Sequence, residues 1–97
     1  MIESIFAELL ATNFDFRQFA AANDPLSHLF DEWVPYYRLK FAIAKVLQPR
    51  SILEIGVRYG YSAITFLQAC PKARYLGLTL TLRHSVALTE HWIGLAN

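Results

Sequence analysis

Glu54, Gly56, Arg58, Gly60 and Ser62 fall within one stretch, Ser51-Ile-Leu-Glu-Ile-Gly-Val-Arg-Tyr-Gly-Tyr-Ser62. An apolar run ends beside a carboxylate, passes two glycines and reaches a hydroxyl residue. These types in this order suit a nucleotide cofactor: backbone without Cβ crowds a ligand, and the amides of a following helix start face it. The glycine spacing alone is weak, because Gly-x-x-x-Gly also serves close packing of a helix on a strand; the order strand, Gly56, Gly60, helix start carries the reading. Other chemistry has less support. His28, His84 and His91 lack ligand spacing and Cys70 is the only cysteine, so neither a metal site nor an internal disulfide is expected. Cys70 reads as a small buried residue at a helix end.

To position these groups the chain needs a strand before Gly56 and a helix after Gly60. Ile52 to Ile55 reads as the strand, and Ser62 to Cys70 as the helix, with Ile64 and Leu67 inward and Pro71 closing it. Ala73 to Leu78 reads as a second strand. A β-α-β unit with a right-handed crossover makes the two strands parallel and puts the glycine loop at the carboxyl end of the first, the edge where ligands bind. Upstream, Ile5, Phe6, Leu9 and Leu10 recur at helical spacing, and Phe16, Phe19 and the alanines after them extend as a second short helix up to Asn23-Asp24-Pro25. A longer helix is expected to begin near Val34, with Pro35 in its first turn and Asp31 and Glu32 solvated at the favourable end of its dipole. Tyr36, Leu39, Ile43 and Leu47 form its expected buried stripe, and Pro49 ends it. Trp33 and the Phe-rich N-terminus read as packing of this helical cap.

Composition narrows the function classes. The chain has 97 residues, 55% of them hydrophobic and 14% aromatic, too apolar for a disordered protein yet short for a doubly wound α/β domain. Residues 1 to 54 hold seven acids and five Lys/Arg, residues 55 to 97 one acid and four Lys/Arg. No basic stripe forms, which leaves a nucleic-acid surface without support. The N-terminus lacks a basic leader and no uncharged apolar run approaches the ~18 residues of a spanning helix, so a cytoplasmic chain without a membrane partner is expected.

Glu54-Ile-Gly56-Val-Arg-Tyr-Gly60, preceded by Ile52-Leu53 and followed by Pro71-Lys-Ala-Arg-Tyr-Leu-Gly77, resembles motif I and the second strand of class I S-adenosylmethionine-dependent methyltransferases. The resemblance covers roughly residues 36 to 78. It implies an α/β fold in which a helical N-terminal extension (1–48) precedes the first β-α-β unit of a Rossmann-like methyltransferase fold (49–78), left incomplete. It implies S-adenosylmethionine as cofactor, with Glu54 near the methionine amino group, Gly56 and Gly60 letting the backbone pass, and Ser62 at the helix start. No catalytic residue is implied, since groups that choose the methyl acceptor lie further along such chains. Tyr36, Tyr37 and Tyr59 could line the adenosine or acceptor pocket, with core packing the stronger reading of Tyr36.

Two positions depart from the family. Arg58 stands where a glycine is usual; it either pairs with the cofactor carboxylate or projects into solvent, the commoner fate of arginine. The acid expected for the ribose at the end of the second strand is replaced by Leu78-Thr79-Leu80-Thr81. A leucine codon ending in G before a threonine codon conceals an aspartate codon one base earlier. Residues 79–97 therefore read as an out-of-frame tail, and the chain as a truncated methyltransferase, with little or no cofactor binding and no activity expected. Alternatively, a threonine hydroxyl replaces the acid. Two strands leave open sheet edges, through which self-association is expected. The competing functions are a small helical interaction module and a remnant of a nicotinamide-binding domain, the latter disfavoured by the missing middle glycine and acid.

Overall fold

The structure, a computed structural model, describes residues 1–80 and 86–92, with side chains described through residue 78. Helix α1 (Ile2–Ala11) lays Ile5 and Leu9 against its neighbour and leaves Ile2, Phe6 and Leu10 exposed. The expected second short helix is one 3-10 turn, Phe16–Gln18, capped by Asp15, whose carboxylate accepts from the Arg17 amide at 3.0 Å. One turn suffices to drive Phe16 inward. A further 3-10 turn, Ser27–Leu29, leads into α2 (Phe30–Leu47).

Helix α2 starts four residues before the expected Val34, which places Pro35 inside the helix and Asp31 and Glu32 in its first turn. Pro35 is tolerated near the start, where the ring forfeits only the bond to the Asp31 carbonyl. The expected buried stripe is also out of phase. Tyr36, Leu39 and Leu47 are exposed, whereas Val34, Ala42 and Ala44 are buried. The cause is that α2 packs against α1 and also against α3 (Tyr61–Ala69), so small alanines occupy the close helix approach in place of a single line of large residues. Gln48, left-handed at φ 46°, closes the helix and donates its side-chain amide to the carbonyls of Lys45 and Ala69.

Strand β1 (Ser51–Ile55) and strand β2 (Arg74–Leu80) pair in parallel, in register from Ser51↔Arg74 to Ile55↔Leu78, with α3 as the crossover. Among the described residues the sheet has a third strand that the sequence reading did not expect. β3 (Val86–Trp92) pairs antiparallel with β2, giving the order β1-β2-β3. Five residues separate β2 from β3. That suffices for an antiparallel return but not for the dozen or so that a parallel crossover takes.

Two apolar clusters hold the layers. Ala44, Ala63, Leu67, Ala69, Cys70 and Tyr75 join α2, α3 and the sheet, with Ile52 packed against them. Cys70 is buried at the end of α3, its thiol directed to the Phe66 carbonyl at 3.0 Å. The second cluster centres on Phe16, which is wholly buried against Phe30 and Tyr37 from α2 and Tyr61 from α3. Among the described residues the opposite sheet face is open: Leu53 is 62% and Ile55 80% exposed. No described helix is long and apolar enough to cross a membrane.

Candidate functional site

At the carboxyl end of β1 the backbone turns out of the sheet and climbs to α3. Gly56 still donates its amide to the Leu78 carbonyl at 2.7 Å, and then both glycines take left-handed conformations, φ 92° at Gly56 and 81° at Gly60. A side chain is disfavoured at such φ, and a Cβ on either glycine would meet nothing within 4 Å. Their absence of side chain thus serves the turn and leaves open space above it. Gly77, beside Glu54 in the register, has a different reason: a Cβ there would lie 2.6 Å from Val57 Cγ2.

Around this turn lies a cavity of about 160 Å³, walled by Glu54, the Val57 to Tyr59 turn, Ser62 and the aromatic residues Trp33, Tyr36 and Tyr37. Glu54, at the end of the strand and 15% exposed at its side chain, accepts a hydrogen bond from Tyr75 Oη at 2.6 Å. Burial and that carboxylate both push the Tyr75 hydroxyl well above the ordinary tyrosine range, so it acts as a donor throughout neutral pH. Ser62, in the first turn of α3, accepts from Lys40 Nζ at 2.5 Å. Tyr36 lines the cavity, 55% exposed, with its ring edge-on to Tyr37 at 5.3 Å; the expected core packing of Tyr36 is not what the fold builds.

Arg58 keeps part of the expected solvent exposure, its side chain being 43% exposed, but its charge is paired within the chain. Its guanidinium forks onto Asp24, with Nη1 2.5 Å from Oδ2 and Nη2 on Oδ1. Asp24 is buried and also accepts from Tyr61 Oη at 2.9 Å and the Leu26 amide at 2.9 Å. Hydrogen bonding by Arg58 holds this carboxyl well below the usual carboxylate range, against the opposing effect of burial. The hydroxyl of Tyr61 in turn accepts the Ala21 amide at 3.0 Å. So the loop before α2 is fastened to the glycine turn by Arg58, whose partly exposed side chain lines the cavity.

No protein-family model matches the chain, and no curated protein or solved structure matches it. The site therefore stands on its own geometry. Glu54, Gly56, Arg58, Gly60 and Ser62 meet around one cavity, and Arg58 also braces the turn through Asp24. Sequence reasoning missed Asp24, Lys40 and Tyr75. Tyr75 alone carried a usable signal, since alternation in β2 puts it on the same face as Gly77, the register partner of Glu54. The ribose partner expected at Thr79 or Thr81 lies outside the described side chains.

Proposed function

We propose that this chain is the cofactor-binding beginning of a class I S-adenosylmethionine-dependent methyltransferase, and that it binds the cofactor weakly at best and does not turn it over. The observation that carries the reading is a desolvated carboxylate, Glu54, at the floor of a cavity whose rim is a turn of two left-handed glycines with open space above them. Donor and shape chemistry fit. A carboxylate held by Tyr75 suits the amino group of the methionine part. The turn brings backbone close to a ligand, and the first amides of α3 lie beside the cavity. Tyr36, Tyr59 and Trp33 offer flat apolar surface for the rest of the molecule.

When bound, S-adenosylmethionine supplies an electrophilic methyl on sulfur for transfer to a nucleophile. In this reading the chain's own residues bind and orient; none is assigned to the methyl acceptor, and catalysis by placement needs that second site. An interaction module of residues 1–48 alone fits less well, because Asp24 is fastened to Arg58 and Phe16 packs on Tyr61 across that boundary. A cytoplasmic location goes with the reading, Cys70 being a free buried thiol.

Trypsin offers a test, since Arg58 is a cleavage site inside the turn. S-adenosylhomocysteine should slow the cut after Arg58 while NAD leaves it unchanged. Equal cutting with and without S-adenosylhomocysteine, or protection by NAD instead, contradicts the proposal.

A further inference from the structure

Asp24 belongs to the segment before α2, yet its hydrogen bonds reach the glycine turn. Arg58 Nη1 donates to its Oδ2 at 2.5 Å and Nη2 donates to Oδ1, while Tyr61 Oη donates to Oδ2 at 2.9 Å. Arg58 and Tyr61 stand on either side of Gly60, the left-handed residue at the N-terminal end of α3, so one carboxylate holds both flanks of the residue whose backbone is freest to turn. The grip extends to the cavity wall. The Arg58 guanidinium lies 4.5 Å from the centre of the Tyr59 ring, and that ring stacks on Tyr61 at 5.9 Å. The anchor itself is fixed: the Asp24 side chain is wholly buried and also accepts the Leu26 amide, and Tyr61 Oη accepts the Ala21 amide from the same segment. Leaving that carboxylate buried without its partner is costly, and this keeps the guanidinium fork in place.

We propose that Asp24 is a positioning residue for the candidate site: by holding Arg58 and Tyr61 on either side of Gly60, it sets the glycine turn in its ligand-receiving shape before a ligand arrives. The inference rests on the proposed cofactor reading and adds to it a residue from outside the motif. Asp24 does not line the cavity and acts through Arg58 and Tyr61, which do. A ligand that meets an ordered turn bears no cost of ordering it, whereas a turn released from Asp24 must be ordered at the moment of binding.

The test is amide hydrogen exchange on the full chain, with calorimetric titration of S-adenosylhomocysteine beside it. Ile64 donates its amide to the Gly60 carbonyl at 2.9 Å and reports the first turn of α3, whereas Cys70 donates to the Phe66 carbonyl at 2.9 Å and reports the last. Asp24→Asn keeps the size of the side chain but loses the charge that holds Arg58. It should speed exchange at Ile64 by about tenfold over any change at Cys70 and weaken S-adenosylhomocysteine by about tenfold, the scale of ordering one backbone residue. Tyr61→Phe, which keeps the ring, should shift both readings the same way by less. Leu9→Ala, which loosens α1 on α2, should leave the Ile64-to-Cys70 ratio and the affinity of the folded chain as in wild type. An unchanged ratio in Asp24→Asn, or an unchanged affinity where wild type binds, overturns the positioning role and leaves the cofactor reading standing. Wild type that binds no S-adenosylhomocysteine overturns the cofactor reading and, with it, any positioning for that ligand, whatever the exchange shows.

Discussion

Asp24 fastens the glycine turn from outside it. Its carboxylate receives Arg58, Tyr61 and the Leu26 amide, and these bonds make it more acidic than in the unfolded chain. A carboxyl acidified by folding stabilises the fold in full above its unfolded value, near ~3.9, and that contribution drains away as pH falls towards the lower folded value. The stability difference between wild type and Asp24→Asn, measured by urea unfolding, should be constant from about pH 7 to 5 and shrink between about pH 4 and 2. A difference that stays flat across that acid range would count against the assigned pairing. Nothing local in the sequence marks this pair. Asn23-Asp24-Pro25 looks like a turn, and the Leu26 amide contact is indeed turn chemistry, but Arg58 lies far along the chain. Lys40 hides for a similar reason, sitting at helical spacing from Tyr36 as any polar surface residue would. Glu54, Gly56, Gly60 and Ser62 were legible together because their grouping is a matter of contiguous backbone, which sequence order displays directly.

At the scale of elements, the aromatic cluster fastens the N-terminal half to the start of α3. Phe16 is its centre, wholly buried, with Tyr37 at 4.4 Å and Phe30 at 5.4 Å between ring centres. Truncation of such a side chain costs about 3–5 kcal/mol, out of the ~5–15 kcal/mol that holds a domain together. Phe16→Ala should therefore lower the urea midpoint severely, whereas Phe6→Ala, on the exposed face of α1, should change it little; equal effects would contradict the packing described. The two parallel strands and α3 lie within about two residues of their expected bounds, because apolar runs closed by Gly56 and Pro71 are strong local signals. The start of α2 was displaced by Pro35, which reads as a first-turn residue yet sits deeper in the helix. Its buried face departs from the expected stripe because amphipathic reasoning follows large residues, whereas the approach to α3 is made by Ala44 and the small Ala42 is also buried.

At the scale of the molecule, the described residues leave one side of the sheet uncovered. Parallel sheets are ordinarily buried on both faces, yet here α2 and α3 cover one, while Leu53, Ile55, Leu76 and Leu78 share the other by strand alternation. Such a face should drive self-association, so the sedimentation coefficient is expected to rise with protein concentration, and Leu53→Lys combined with Ile55→Lys should abolish the rise. A wild type that sediments as a monomer at all concentrations contradicts this expectation. A unit of two strands and one crossover helix is expected to leave a face uncovered, but which face that is depends on chain packing that the apolar run Ile52-Leu53 with Ile55 does not encode. The antiparallel β3 was likewise illegible, since the segment carrying it reads as a continuation foreign to the preceding pattern.

Backbone amide resonances of the isotope-labelled chain, followed during titration with S-adenosylhomocysteine, report on the glycine turn as a site for an adenosylated amino acid. Saturable shifts concentrated at Gly56, Gly60 and Ser62, absent when NAD is added instead, are the expected result. No saturable change at those amides, or a larger response to NAD, would contradict it.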